Sequence, residues 1–162
     1  SSPISTALST GIRLRELLVL SWDDIHFDKQ TVTIKKTATS IGDGKRQIEQ
    51  VRSGFRTIAL PPSWVTNLKK HKEKQLLIQR DIGEQQYDEL NLLFPNNTGG
   101  VQKTFVVSAK FHRLIDDADV KKIAFHDLRR MHAILLTKAG VSYEFIKERL
   151  GHKKIETTLR LF

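Results

Sequence analysis

The fold is decided by the sequence HDLRRMHA at residues 126–133 and by LGH at residues 150–152. Both segments belong to a region in which apolar residues recur every three or four positions, a spacing typical of α-helices. Helices are predicted at 104–118, 126–139 and 142–150. The C-terminal part of the chain is therefore expected to be helical.

His126 and Arg129 lie three positions apart on one of these helices, so their side chains share a face. A guanidinium group binds two phosphate oxygens as a fork, and an imidazole donates a hydrogen bond or moves a proton. The pair therefore predicts a site for a phosphate group. The plainer alternative is that His126 and Asp127 only begin a helix, where the backbone N–H groups favour an acidic residue.

The first part of the chain combines a helix with a small sheet. Residues 5–20 have helical spacing interrupted by Gly11, and they carry Arg13 and Glu16. Alternating apolar and polar residues predict three antiparallel strands, at 31–35, 47–51 and 55–60. A helix is expected from the prolines at 61–62, and a loop at 83–88. The expected fold class is α+β and mostly helical, with the three-stranded antiparallel sheet at one edge and the functional pocket between sheet and helices.

The composition limits the classes of function. With 162 residues, 39% of them hydrophobic, the chain fits one domain spanning 1–162, and its net charge of +9 favours a polyanionic partner. The absence of cysteine excludes a thiol nucleophile, a cysteine zinc site and a disulfide, and makes the cytoplasm the expected location. No apolar run is long enough to span a bilayer, so no membrane partner is expected.

Several segments occur in a fixed order along the chain: TGIRLREL (10–17), RTIALP (56–61), HDLR (126–129), LGH (150–152) and IETT (155–158). In this order they resemble the signatures of phage and transposon tyrosine recombinases, or integrases. The resemblance covers nearly the whole chain. It implies the fold of the recombinase catalytic domain, double-stranded DNA as partner, and site-specific recombination through a covalent 3′-phosphotyrosine intermediate.

The resemblance also implies how the protein is completed and assembled. A DNA-binding domain is expected before this fragment and a tail after it. The full-length protein is expected to act as a homotetramer on paired DNA sites, and the fragment alone is expected to be a monomer. No cofactor is implied, because the phosphodiester energy is kept in the covalent link. No metal site is predicted either, since the histidines lack a carboxylate at ligand spacing.

Carried onto this sequence, the resemblance assigns roles to individual residues. Arg13 and Arg129 clamp the scissile phosphate, and His126 and His152 complete the pocket. Glu16, one helical turn after Arg13, holds that arginine or its helix in place. Further cations, on or near the hairpin and beside the second arginine, are expected to contact DNA phosphates: Lys35, Lys36, Arg46, Arg56 and Arg130.

Two positions depart from the family pattern. The nucleophilic tyrosine falls on Phe162, whose ring has no oxygen with which to form a phosphoester. The hairpin lysine that serves as general acid falls on Gln50, which cannot donate a proton in that role. Lys45 or Arg52 is the candidate replacement if the hairpin is longer or shifted. As written, the chain is expected not to cleave DNA.

Three explanations of these departures stay open at the level of sequence. Tyrosine was replaced by phenylalanine deliberately, or the chain is a natural recombinase remnant, or the alignment of the last helix is shifted and a tyrosine follows residue 162. The alternative to an enzyme is accordingly a catalytically silent DNA-binding domain derived from a recombinase. A basic domain that binds RNA or a membrane is a third, remoter class.

Overall fold

The computed structural model describes residues 2–40, 46–83 and 90–162. Seven helices lie in these ranges: α1 (Pro3–Thr10), α2 (Leu14–Leu17), α3 (Pro62–Ile82), α4 (Thr104–Asp117), α5 (Asp127–Lys138), α6 (Tyr143–Leu150) and α7 (Ile155–Leu159). The bounds of α4, α5 and α6 agree with the predicted helices to within one residue at each end. The loop predicted at 83–88 lies almost entirely outside the described residues.

The chain breaks at Gly11, between α1 and α2. Gly11 follows α1 with a φ of 71°, a left-handed conformation that glycine adopts without steric cost. A Cβ at this position would lie 2.5 Å from Leu150 Cδ2 and 2.8 Å from His132 Cδ2. The helix predicted over 5–20 is therefore two short helices, and the break packs their junction directly against α5 and α6.

Five strands in the described ranges form two antiparallel units: β1 (Ile25–His26), β2 (Thr31–Ile34), β3 (Lys36–Ser40), β4 (Arg46–Gln50) and β5 (Arg56–Ala59). The three-stranded antiparallel sheet is confirmed and has the order β1-β2-β5, but β3 and β4 form a separate hairpin. The predicted strand at 47–51 is thus wrong as a member of the sheet. The two residues of β1 are too few to show alternation, and β3 reads KTATS, with one apolar residue.

The main hydrophobic core lies between the three-stranded sheet and helices α1 to α5. Each element contributes buried side chains, among them Ala7, Leu17, Ile34, Ile58, Leu68, Val107 and Leu128. A smaller cluster of Ala133, Ile146 and Leu150 joins α6 to α5. Across the described ranges, no helix combines the length with the apolar character that a membrane span requires. The buried apolar residues of α6 belong to this smaller cluster, and hydrogen bonds from Arg149 also hold the helix in place.

His132 and Arg149 form a polar contact that fixes α6 against the rest of the domain. Arg149 Nε donates to His132 Nε2 at 2.9 Å, so the other ring nitrogen carries the proton and donates to the Leu8 carbonyl oxygen at 3.0 Å. Arg149 Nη1 also donates to the Ala59 carbonyl oxygen at 3.0 Å. Burial, followed by repulsion from Arg149, lowers the pKa of His132 to about 4. The imidazole is therefore neutral at physiological pH.

This contact predicts a pH dependence of stability. An unfolded chain protonates His132 near its ordinary pKa of 6.5, whereas the folded chain does so only near 4. The unfolded state binds more protons between these values, so the free energy of unfolding falls as the pH drops from 6.5 towards 4. His132→Gln removes this titration. In urea titrations, the stability lost between pH 7 and pH 5 should be about 2 kcal/mol smaller in that variant. Equal losses would contradict the assignment.

Candidate functional site

Three successive carbonyl groups at the end of α6, those of residues 149–151, each accept a hydrogen bond from a different arginine. Arg56 Nε lies 2.7 Å from the first carbonyl oxygen, Arg129 Nη2 lies 2.7 Å from the second, and Arg13 Nη2 lies 3.5 Å from the third. The last carbonyls of a helix lack intrahelical partners and carry partial negative charge, so they attract cations. The end of α6 therefore brings together Arg13, which precedes α2, Arg56 of β5 and Arg129 of α5, and these three residues are called the arginine cluster below.

Glu16 is the buried carboxylate of this cluster, with 2% of its surface exposed. Its Oε1 accepts a hydrogen bond from the backbone N–H of Arg13 at 3.1 Å, which caps α2. Both of its oxygens accept from Arg56, at 3.1 Å and 3.0 Å. The guanidinium of Arg13 lies farther away, with 3.7 Å between Nη1 and Oε2. Glu16 therefore contacts the backbone at the start of α2, and its main ionic partner is Arg56.

Arg129 lies at the centre of the cluster, with 4% of its surface exposed. Burial, followed by repulsion from Arg13, lowers its pKa to about 9. Burial also lowers the pKa of Arg13, against the opposing effect of Glu16. Among the residues that the structure describes, one carboxylate, that of Glu16, lies with these three arginines, so the negative charge at the site is smaller than the positive charge. An anion bound between Arg13 and Arg129 would supply the missing charge.

Two histidines lie within electrostatic reach of these arginines. His126 precedes α5, and burial, followed by repulsion from Arg129, lowers its pKa. His126 and Arg129 also line a hollow of about 270 Å³. His152 contacts Thr158 Oγ1 through Nδ1 at 2.8 Å, and burial, followed by repulsion from Arg129 and Arg13, lowers its pKa to about 4. His152 is therefore uncharged at neutral pH and available as a neutral hydrogen-bonding group.

A second hollow, of about 420 Å³, separates α2 from the β3–β4 hairpin. Arg13 and Glu16 line it from one side, and Gln50 and Arg52 line it from the hairpin side. Gln50 lies opposite Lys36 in the register of the hairpin. The position where the sequence pattern expects a general acid thus faces the same space as Arg13. Lys45 lies outside the described residues.

Phe162 lies beyond α7, with 45% of its surface exposed. Its ring is 5.2 Å from the ring of Tyr143, centroid to centroid. Arg130 Nε donates to the Leu161 carbonyl oxygen at 2.8 Å and ties this end of the chain to α5. The ring of Phe162 therefore contacts α6. The other residues predicted for the site lie in or beside the arginine cluster: Arg13, Glu16, His126, Arg129 and His152.

Several cations predicted to contact DNA have partners inside the protein. Lys35 Nζ and Lys36 Nζ lie 3.3 Å and 3.5 Å from the two carboxylate oxygens of buried Asp24. Arg130 binds a backbone carbonyl, as described above. Arg56 differs from the other three, because its guanidinium is buried and makes four hydrogen bonds to Glu16 and to backbone oxygens. Each of these four cations therefore has a partner within the protein, and its contact with DNA stays a prediction. The side chain of Arg46 lies outside the described residues.

The structural roles of Arg56 and Arg149 were missed from the sequence. Because arginine is usually exposed, the sequence predicts Arg56 as a DNA-contacting cation and assigns Arg149 no role. One signal was available for Arg56. It lies in phase with Ile58 and Leu60, and every second residue of β5 is buried. The alternation of the strand therefore places the Arg56 side chain on the buried face. No comparable pattern marks Arg149.

No group of three or more histidine, aspartate or glutamate side chains in the described ranges is arranged to hold a metal ion. The site is instead cationic. It combines the guanidinium groups of Arg13 and Arg129, which have N–H donors to spare, with the neutral imidazole of His152 and the exposed imidazole of His126. Such a site suits an anion with several oxygens, because each guanidinium offers a fork of N–H donors.

Residues 2–161 match the model of the family described as the phage integrase family. The chain is 27% identical, over 96% of its length, to a XerC-like tyrosine recombinase of Caldanaerobacter subterraneus subsp. tengcongensis. It is 28% identical, over 98% of its length, to the ICEBs1 integrase of Bacillus subtilis. The chain spans 43% of the length of each of these two relatives.

The fold is also similar to those of solved recombinase structures. A phenylalanine-for-tyrosine variant of the Tn1549 transposon integrase, solved in complex with transposon right end DNA, superposes with a TM-score of 0.81 at 18% identity. That match covers 98% of this chain and 52% of the integrase chain. The XerH site-specific recombinase, solved in a pre-cleavage complex with its difH substrate, gives a TM-score of 0.68 at 26% identity, covering 98% and 40%.

Proposed function

The chain belongs to the phage integrase family, and on that premise we propose that it is the catalytic domain of a tyrosine recombinase that acts in site-specific recombination or integration of DNA. One observation carries the proposal. Arg13 and Arg129 converge on the end of α6 with more positive charge than Glu16 and the helix carbonyls neutralise. A DNA phosphate has the charge and the oxygens that this site lacks.

In the proposed reaction, the two arginines hold the non-bridging oxygens of the scissile phosphate. Their guanidinium groups stabilise the charge that builds up on those oxygens when a nucleophile attacks. His152 and His126 complete the pocket, and neutral His152 can hydrogen-bond the phosphate without adding charge. A tyrosine oxygen attacks phosphorus and loses its proton, the bond from phosphorus to the 5′ oxygen breaks as the 3′-phosphotyrosine forms, and the 5′ oxygen gains one proton from a general acid, so no net proton is gained or lost. The arginine cluster performs the binding and stabilising part of this chemistry.

The chain as it stands lacks two groups of that reaction. Phe162 occupies the nucleophile position and Gln50 the general-acid position, so we propose that it binds DNA without cleaving it. These two losses are the observation that supports a second candidate function, a catalytically silent DNA-binding domain derived from a recombinase. Double-stranded DNA is the partner in either case. A homotetramer on paired sites is proposed for the full-length protein, and a monomer for the fragment.

Replacing Arg13 tests this proposal. We expect Arg13→Ala to weaken binding to a fluorescein-labelled duplex by about tenfold to a hundredfold, because a charge-assisted contact is worth about 1.5–3 kcal/mol. The dependence of log affinity on log salt concentration should become shallower by about one, since one phosphate contact is lost. Fluorescence anisotropy over a salt series measures both quantities.

Arg80→Ala is the matched control, since Arg80 is an exposed arginine in the last turn of α3. It should weaken binding far less than Arg13→Ala. If both variants behave alike, or if affinity does not fall as salt rises, DNA is not held at the arginine cluster. If the duplex still binds when Arg13 and Arg129 are both replaced, other cations hold it non-specifically, as expected of a basic domain whose own partner is RNA or a membrane.

A further inference from the structure

The carboxylate of Glu16 lies between two arginines that it binds unequally. Arg56 reaches both of its oxygens as a fork, at 3.0 Å and 3.1 Å. Arg13 approaches one oxygen only, with 3.7 Å between Nη1 and Oε2. Since each carboxylate oxygen takes a good hydrogen bond from Arg56, Arg13 is left with the weaker ionic contact.

The two arginines also differ in how firmly they are held. Arg56 is 8% exposed, and it additionally donates to the carbonyl oxygens of Arg149 and Gly54, both at 2.7 Å. The side chain of Arg13 is 37% exposed, and its hydrogen bond to the Gly151 carbonyl oxygen is 3.5 Å long. Arg56 is therefore committed to the protein, whereas Arg13 keeps donors for a ligand.

Without Arg56, the buried carboxylate would need another cation. An unpaired buried charge costs several kcal/mol, and the nearest remaining guanidinium is that of Arg13. Arg13 would then turn from the open side of the cluster towards Glu16. The charge balance would change as well. The guanidinium groups of Arg13, Arg56 and Arg129 with one carboxylate leave two positive charges, and removal of Arg56 leaves one.

We propose that Arg56 is a positioning residue that occupies both oxygens of Glu16 and so leaves the guanidinium of Arg13 free to take a DNA phosphate. The inference rests on the proposed function for its ligand. Arg56 itself touches no phosphate. It acts through Glu16, by keeping that carboxylate from capturing Arg13.

The test is the pair Arg56→Met and Arg56→Met with Glu16→Gln. The single variant leaves Glu16 charged, so its affinity for a labelled duplex should fall at least about tenfold. The double variant removes the carboxylate charge that captures Arg13 and restores two positive charges to the cluster. It should recover to within about threefold of the unsubstituted chain. A residue with only a packing role would not be rescued by a second substitution in the same core.

A spectroscopic readout follows Arg13 directly. Its Nε–H resonance, assigned through its loss in Arg13→Lys, should move in Arg56→Met and return in the double variant. If Arg56→Met does not fold, Arg56→Lys serves instead, because a single ammonium group cannot occupy both carboxylate oxygens and should shift the Arg13 resonance in the same direction.

Arg149→Met is the matched control, because Arg149 is also 8% exposed but binds His132 and backbone oxygens. Adding Glu16→Gln should not rescue it. An unmoved Arg13 resonance in Arg56→Met, or equal effects of Glu16→Gln in both backgrounds, would overturn the proposal. DNA binding that is insensitive to Arg13→Ala in the unsubstituted chain would reject the DNA function alone, and the Arg13 resonance would still decide the positioning role.

Discussion

In the Phe162→Tyr variant we expect covalent attachment to a nicked DNA duplex, where the unsubstituted chain forms none. The substitution adds the one atom that phenylalanine lacks, an oxygen able to form a phosphoester. The arginine cluster that would stabilise the transition state is already assembled around the end of α6. The effect is therefore the appearance of a product, and band shifts on a denaturing gel report it.

Gln50→Lys should accelerate this capture. Gln50 and Arg13 line the same hollow, so a lysine at position 50 would face the site. A positioned general acid increases the reaction rate by about a hundredfold to ten-thousandfold. We expect Phe162→Tyr alone to react slowly and the variant carrying both substitutions to react at least about a hundredfold faster. A pool of nicked duplexes with a randomised central sequence avoids any assumption about the target site.

Two controls identify the reacting atom. Arg129→Lys in the Phe162→Tyr background should abolish capture, because lysine cannot reproduce the guanidinium fork. Tyr143→Phe in the same background should leave capture unchanged, although the Tyr143 ring lies beside that of residue 162. If the variant with both groups restored binds DNA and still forms no adduct, the silent DNA-binding domain is the better description.

Gly151→Ala is expected to damage both the fold and the site. Gly151 ends α6 with a φ of 76°, which costs a residue with a side chain about 1 kcal/mol. Its added Cβ would lie 2.6 Å from Arg56 Nη1 and 2.8 Å from Arg56 Cζ. Arg56 cannot yield freely, because it holds Glu16 and two carbonyl oxygens. We expect a loss of about 3 kcal/mol in the free energy of unfolding, with DNA affinity falling as well.

Gly140→Ala provides the comparison for this change. Gly140 also has a left-handed φ, of 84°, but nothing lies within 4 Å of the Cβ that the substitution would add. Gly140→Ala should therefore lower the free energy of unfolding by about 1 kcal/mol, the effect of the left-handed backbone alone. Chemical denaturation of both variants separates the two contributions. Equal losses would mean that the crowding of Arg56 against Gly151 is without consequence.

The site residues that could be predicted from the sequence are those that lie within short contiguous motifs. His126 immediately precedes α5, Arg129 lies in its first turn and His152 follows α6, so short spacings along the chain were enough to predict them as site residues. Glu16 was found for the same reason, as a neighbour of Arg13. The pairing of Glu16 with Arg56 could not be predicted in this way, because the two residues are 40 positions apart in the sequence. Arg56 also lies on the buried face of β5, where an arginine is unusual.

The sheet and the chain end illustrate the same limit. The sequence predicted three strands, but which strands pair depends on long-range register, and β4 pairs with the polar strand β3 instead of joining the sheet. The position of Phe162 depends on the bond from Arg130 to the Leu161 carbonyl and on the contact with Tyr143. Counting residues from His152 predicts that Phe162 occupies the nucleophile position, but it does not predict where that residue lies in the fold.

The most direct test of the central claim, that Arg13 and Arg129 hold a DNA phosphate, is a titration of the ¹⁵N-labelled chain with a short duplex, following the arginine Nε–H resonances. We predict that the resonances of Arg13 and Arg129 shift together, with one dissociation constant that weakens as salt is added, while that of Arg80 stays in place. Resonances of Arg13 and Arg129 that do not move while the duplex binds elsewhere would contradict the account.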